Sequence, residues 1–328
     1  MINMYLGIDV SKDWLDVVLV REGLPVEKGQ FDNSSQGFRQ LQHFLKKRKV
    51  RELHACLEAT GYYGAEAALF LHHAGYKVSV VNPARIKAYA ESQLSRTKTD
   101  VGDAALIADF CRTQQPNAWT PPPLEQQELQ ALVRHLETLK DMRQQEVNRR
   151  QAGIPSETIL KTLDAHIAFL DQQITDLLRL IHDHIERHPH LRQQRDLLIS
   201  IPGIGDLTAF KLLAEIVDVQ SFDSARQLAA FAGLTPRERR SGSSVRGRTR
   251  LSKRGTPRLR SALYFPAIVA QQHNPILHVF AQRLLQAGKS KLQVIAAVMR
   301  KLLHLVFGIL KSGQPFDPHF LEKRALLT

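Results

Sequence analysis

Four carboxylates in the first third of the chain sit where a lone charge is costly. Asp9 lies within the apolar run 5–10, Tyr-Leu-Gly-Ile-Asp-Val, which is apolar on both alternating faces, as in a central strand covered on both sides. A carboxylate there must be paired, metal-bound or close to the strand end. Glu58 repeats the arrangement at the end of Leu53-His-Ala-Cys-Leu-Glu58, and Asp100 and Asp103, three apart on a predicted helix, project from one face. Thr99 is placed to cap that helix. Taken together, Asp9, Glu58, Asp100 and Asp103 form a set of hard oxygen donors suited to Mg²⁺. Two such ions clamp the attacking and leaving oxygens of a phosphoryl transfer. Taken singly, Asp9 has a lysine partner within reach in Lys12 and Asp100 a helix to cap. Asp13, Asp16 and Asp109 read as solvated.

A second centre lies far along the chain. Residues 237–260 hold ten Lys/Arg and one acid, Glu238, a net +9 of the protein's +13. Ser241-Gly-Ser-Ser244, Gly247 and Gly255 interleave with the cations. A glycine-rich serine loop among guanidinium groups suits attack of a hydroxyl on a phosphodiester, with Arg240, Arg246, Arg248, Arg250, Lys253 and Arg254 holding the non-bridging oxygens. The residues alone do not choose among Ser241, Ser243, Ser244 and Ser252, and show no general base. Upstream, Ile201-Pro-Gly-Ile-Gly205-Asp, between two helical runs, has the form of a helix-hairpin-helix. Gly203 and Gly205 would let backbone approach a phosphate, and the next helix offers free N–H donors.

Composition narrows the classes. The 328 residues, with 43% hydrophobic and 23% charged, are ordinary for a globular protein of about two domains. Apolar runs such as 262–270 fall short of the roughly 18 residues of a membrane span, and the N-terminus lacks signal-peptide character. Cys56 and Cys111 have no disulfide-framework or zinc spacing, which points to a reducing cytoplasm. His182, His184, His188 and His190, at the end of a long amphipathic helix, read as solvent-facing. A large positive excess implies a polyanionic partner, nucleic acid by default.

Secondary-structure patterns divide the chain into three segments that carry these groups. In residues 1–115, strand patterns at 5–10, 14–20 and 26–31 precede a helix capped by Ser34. A strand at 53–58, a helix at 64–74, a strand at 77–81 and helices after Asn82-Pro83 and over 98–111 follow, giving an α/β domain with a mixed sheet. Four prolines in 116–123 mark a boundary. In 116–190, Leu129, Leu132, Leu136 and Leu139, then Leu163, Ile167, Leu170, Ile174, Leu177 and Ile181, predict two long helices pairing as a coiled coil, as a hairpin spacer or a dimerisation arm. From 191 to 328 the pattern is all-helical apart from the turn at 202–205 and the basic stretch, with helices over 208–217, 225–232, 258–272 and 291–310.

Gly7-Ile-Asp9-Val-Ser-Lys12, Leu57-Glu58-Ala-Thr-Gly61 and Lys98-Thr-Asp100-Val-Gly-Asp103-Ala104 resemble the DEDD motifs of RuvC-like insertion-sequence transposases. Ile201-Pro-Gly-Ile-Gly205, Ala230-Phe-Ala-Gly-Leu-Thr-Pro236 and Ser241-Gly-Ser-Ser-Val-Arg-Gly247 resemble the C-terminal domain of the same group, the bridge-RNA-guided serine recombinases related to Piv invertase. The motifs occur in order across essentially the whole chain. The resemblance implies a RuvC-like, RNase H-type domain, a coiled-coil connector and a helical transposase domain. It further implies that Asp9, Glu58, Asp100 and Asp103 bind Mg²⁺ and that Ser241 forms a transient phosphoserine link to DNA. The implied partners are donor and target DNA, a noncoding bridge RNA and further copies of the chain, as a dimer or tetramer, with no membrane.

The sequence thus predicts a DNA transposase or recombinase. The alternatives are a Holliday-junction-type metal-dependent endonuclease, in which water cuts and the serine loop grips phosphate, and a non-enzymatic DNA- or RNA-binding architectural protein.

Overall fold

The apolar runs of the first hundred residues become one five-stranded sheet. The structure is a computed structural model describing residues 4–59, 62–93, 100–154, 156–241 and 245–319, with backbone alone for 62, 100, 101, 238–241 and 245–249. Strands β1 (Met4–Val10), β2 (Trp14–Arg21) and β3 (Glu27–Asp32) form an antiparallel meander. Helix α1 (Ser35–Lys47) follows, its first turn capped by the Ser34 hydroxyl accepting from the Gly37 amide. Then come β4 (His54–Glu58), α2 (Tyr62–His73), β5 (Lys77–Val81), α3 (Pro83–Ser92) and α4 (Asp100–Gln114). The order is β3-β2-β1-β4-β5, with β4 parallel to β1 and β5 parallel to β4. Thr99 and Gly61 lie outside the described residues.

Both faces of this sheet are covered, which is why its strands read as continuous apolar runs. Leu6, Ile8, Val17, Leu19, Ala55 and Leu57 face α1 and α2, meeting Phe38, Leu41, Leu45 and Leu71. On the opposite face Val18 packs on Ala104 and Ala108 of α4, while Cys56 joins Ile86 of α3 and Ile107 and Cys111 of α4.

Cα packing separates the chain into two units, Met1–Pro121 and Pro122–Thr328, the break falling in the proline run. The second begins with α5 (Leu124–Gln151) and α6 (Glu157–Arg187), which pair with each other as an antiparallel hairpin. Leu129, Val133, Leu136 and Leu139 share a core with Leu170, Ile174, Leu177 and Ile181. Arg143–Asp171, at 2.5 Å, and Arg150–Asp164 flank the contact. The seam residues Leu163 and Ile167, nearer the tip, are only half-buried.

Helices α7 (Pro189–Ile199), α8 (Asp206–Glu215) and α9 (Ala225–Phe231) continue that core. An antiparallel ribbon of β6 (Pro236–Ser241) and β7 (Val245–Leu251) follows, then α10 (Pro257–Ala262), α11 (Tyr264–His273), α12 (Pro275–Gln286) and α13 (Lys291–Ser312). The sequence pattern sets the basic stretch apart from the helices without assigning it a structure, and the helical part differs in two places. The basic stretch forms strands, the helix expected over 258–272 breaks at Leu263 into α10 and α11, and α12 is an additional helix. The ribbon is legible in part: in 245–251 small or apolar residues alternate with arginine, a period-two pattern that charge density masks. Among the described residues α13 is long and apolar enough to cross a membrane by length and composition. Its Val294, Val298, Leu302, Leu303 and Val306 are instead core of this unit.

Candidate active site

Asp9 and Glu58 are brought side by side. The parallel register pairs Gly7 with Cys56 and Ile8 with Leu57, so Asp9 and Glu58 come next on adjacent strands. Side chains alternate along a strand, so both point to the face that carries Gly7 and Cys56, the face covered by α4. Gly7 sets the helix height. A Cβ at Gly7 would stand 2.1 Å from the Ala104 carbonyl oxygen and 2.3 Å from the Ala108 nitrogen. Only a residue without a side chain permits this approach. Asp103 immediately precedes Ala104, and Asp9 lies two residues beyond Gly7, so the docking of α4 carries Asp103 to the end of the sheet where Asp9 and Glu58 emerge. Asp9, Glu58 and Asp103 are each half-buried. Asp100 begins α4, and its side chain is outside the described residues.

Among the described residues no three His, Cys, Asp or Glu side chains form a group close enough to hold a metal ion. The donor set nevertheless fits one kind of ion: Asp9, Glu58 and Asp103 are all carboxylates, which match a hard divalent cation such as Mg²⁺.

One of the acids expected to be solvated is buried, and another is only partly exposed and hydrogen-bonded. Asp16 is opposite Asp9 in the β1–β2 ladder and therefore on the same face; it is buried, with Gln30 Nε2 donating to it at 3.0 Å. Asp109 accepts from the Tyr89 hydroxyl at 2.5 Å and from Arg112 Nη2 at 2.6 Å. Burial pushes its pKa up, but those two donors outweigh it and hold the carboxyl below the usual range.

Behind the acids the same face is closed by buried polar groups that local sequence pattern does not mark. His54 Nε2 lies 2.8 Å from Ser79 Oγ, and that hydroxyl donates to the Asn117 carbonyl at 2.7 Å. Burial, reinforced by the charge of Lys77, lowers the His54 pKa to about 4, so the ring is neutral. Cys56 and Cys111 are both buried and unpaired by disulfide; the hydrogen bond from Cys56, with burial, pushes the Cys111 thiol up. It is inert by the usual criteria.

In the second unit, Ser241 ends β6 and pairs with Val245, while Ser243 and Ser244 lie outside the described residues. Ser252 is engaged within the fold, its hydroxyl donating to the Gly233 carbonyl at 3.4 Å. The foot of the ribbon is pinned by Lys253 N to Gly233 O at 3.1 Å and Thr256 N to Phe231 O at 2.8 Å. Gly255, at φ 146°, lies so close to the Phe231 carbonyl that a Cβ would meet it at 2.2 Å. Arg250, Lys253 and Arg254 are exposed; the side chains of Arg240, Arg246 and Arg248 are outside the described set. At the turn between α7 and α8, Gly203 has φ 104° and packs on Ala270, where a Cβ would come within 2.7 Å of the Ala270 Cβ. Its close approach is therefore to the protein's own α11. Gly205 is exposed, with open space where a side chain would be, at the start of α8.

The histidine cluster departs from the solvent-facing expectation at one position. His184 is buried, with Nε2 2.8 Å from the Glu125 carbonyl, and ties α6 to the start of α5. His188 is half-buried, Nδ1 2.7 Å from the His184 carbonyl, whereas His182 and His190 are exposed as expected.

A family pattern described as "Transposase", of the DEDD IS110 type, matches residues 6–154, and one described as "Transposase IS116/IS110/IS902 family" matches 195–282. The chain is 35% identical over 325 residues to the pilin gene-inverting protein of Moraxella bovis, covering 98% of this chain and 100% of that one. The chain belongs to the IS116/IS110/IS902 transposase family. Another member, the transposase for insertion sequence element IS1111A of Coxiella burnetii, is 24% identical over 310 residues, 82% of this chain and 78% of its own. Among solved structures, T. thermophilus RuvC in complex with a Holliday junction substrate aligns with 35% of this chain and 99% of its own, at 14% identity and a TM-score of 0.27. In this transposase family member the first matched segment holds the acids and the second holds Ser241.

Proposed function

We propose that the protein is a Mg²⁺-dependent DNA strand-transfer enzyme of an insertion sequence, working through a phosphoserine at Ser241. The observation that carries this reading is Asp9 beside Glu58 on one face of adjacent parallel strands, beneath a helix that begins at Asp100 and carries Asp103, in a transposase family member. Asp9, Glu58, Asp100 and Asp103 would hold the divalent ion, which when bound supplies charge stabilisation to phosphoryl transfer.

The Ser241 hydroxyl attacks phosphorus: the Oγ–P bond forms, one P–O ester bond of the DNA breaks, and the departing oxygen takes a proton. Phosphodiester bonds are conserved in number, so a DNA hydroxyl can later displace the serine without an external energy source. Arg240, Arg246, Arg248, Arg250, Lys253 and Arg254 hold the non-bridging oxygens. The exposed backbone at Gly205 and the start of α8 take a neighbouring backbone phosphate, while Gly203 shapes the turn against α11. The α5–α6 hairpin is the coiled-coil connector of a dimer or tetramer in which the acids of one subunit meet the serine of another. A noncoding bridge RNA pairs with donor and target and supplies sequence choice.

Denaturing gels of the protein with labelled element-end DNA and Mg²⁺ test the chemistry. A covalent adduct surviving SDS and lost in Ser241→Ala is expected. Nicked ends without an adduct would instead mean hydrolysis of the Holliday-junction-nuclease kind. No adduct and no nick from the native chain, with DNA binding unchanged in Asp9→Asn, would leave only an architectural role. RNase treatment that leaves target choice unchanged would remove the guide.

A further inference from the structure

A groove of about 1270 Å³ opens in the C-terminal unit, walled by the foot of the β6–β7 ribbon, the start of α11, and α12 and α13. It exceeds the roughly 300–1,000 Å³ of ordinary small-molecule pockets. Its floor is apolar, with Leu251, Ile295, Ala296 and Met299. Its rim carries Arg250, Lys253, Lys289 and Lys301, all exposed, and the half-buried Arg300, and among the described residues no Asp or Glu lines it. Aromatic rings stand in the opening. Phe265 is 73% exposed and Tyr264 36%, their ring centroids 5.4 Å apart, and Lys301 Nζ lies 5.6 Å from the centroid of Phe280. His304, also lining the groove, has its Nε2 buried without a hydrogen-bond partner.

Phe265 and Tyr264 present ring faces to solvent beside a cationic rim, a combination that suits a polyanion carrying flat apolar groups. A paired duplex offers phosphates but hides its base faces. Unpaired nucleotides offer both, with bases stacking on rings and phosphates tracking the cations. Pro236, which begins the strand ending at Ser241, and Arg250 and Leu251 of its partner strand form one wall. The groove thus meets the foot of the ribbon whose other end bears the serine, five residues and roughly 16 Å along β6, a span of a few nucleotides.

We propose that this groove holds unpaired nucleotides of the DNA strand adjoining the phosphodiester attacked at Ser241. The proposal rests on the strand-transfer reading for the identity of the strand. A strand end released by cutting is unstacked beside the serine and needs holding until it is rejoined.

The test uses the full chain without Mg²⁺ and fluorescence anisotropy on a short single-stranded DNA, its duplex, and an RNA of the same sequence. Phe265→Ala is expected to raise the single-strand Kd about tenfold, with duplex affinity unchanged. Phe265→Trp is expected to bind at least as tightly as the native chain. Arg300→Gln with Lys301→Gln is expected to weaken binding and flatten the salt slope by about 1.4. Ser241→Ala is expected to bind single strands normally, so failure of the serine chemistry and failure of the groove read out separately. The proposal is overturned by equal losses on duplex, by losses on RNA alone, by weaker binding of Phe265→Trp, or by variants that change only the oligomeric state.

Discussion

At the scale of single residues, charge and burial decide most of what is seen. Asp9 and Glu58 leave their strands on adjacent positions, so neutralising either one should abolish strand transfer by at least about 100-fold while DNA binding persists. Asp9→Asn and Glu58→Gln in the adduct gel, beside a binding titration, check this; equal loss of binding would make the acids structural. His54 offers a pH signature. Unfolded, it takes up a proton below about pH 6.5, whereas the folded ring, its pKa lowered to about 4, does not. The unfolded chain therefore binds more protons between those values, and stability falls as pH drops through that window, by on the order of 2 kcal/mol at pH 5. Urea unfolding at pH 7 and pH 5 should show this loss in the native chain and a smaller one in His54→Gln. The aspartates show what spacing alone conveys. Asp9 is legible because a charge interrupts an apolar run; Asp16 is not, because its shelter is Gln30, on another strand.

At the scale of elements, the decisive contact is the seating of α4 on β1. Gly7→Ala places a methyl where the backbone of Ala104 and Ala108 already is. It should lift the helix, costing about 1–3 kcal/mol of stability and more than proportionate activity, because Asp103 moves with it. Thermal melts and the adduct assay on one sample separate the two losses; activity that fell only in line with stability would detach Asp103 from the site. The α5–α6 hairpin is readable from its heptads, as is the mixed sheet from its runs. That the two helices pair within one chain is not, because leucine spacing states which face is apolar and not what covers it. Leu136→Ala, at a fully buried position, is expected to cost about 2–5 kcal/mol in chemical denaturation of the second unit.

At the scale of the whole molecule, the acids and Ser241 belong to different compact units of a chain whose formal charge is +13. If the catalytic centre is assembled between subunits, an equal mixture of Asp9→Asn and Ser241→Ala proteins should regain activity toward about a quarter of the native level at most, through mixed oligomers pairing one intact half from each. Each variant alone should be inactive. A mixture as dead as its components, in a preparation shown by light scattering to exchange subunits, would place acids and serine in the same chain.

The sequence by itself determined the chemistry available: which residues carry charge, which runs are apolar, where prolines break the chain, and that the motifs of a transposase follow one another in order. Long-range contacts alone make Gly7 the seat of a helix, bury His184, set Gly203 against Ala270, and gather aromatic rings from α11 and α12 into one groove with cations from α13 and the ribbon. The physical reason is one of range. Periodicity and charge interruption act between residues a few positions apart. Close approach, shelter from water and convergence of side chains depend on segments tens to hundreds of residues apart, and nothing in local spacing encodes which of them will meet.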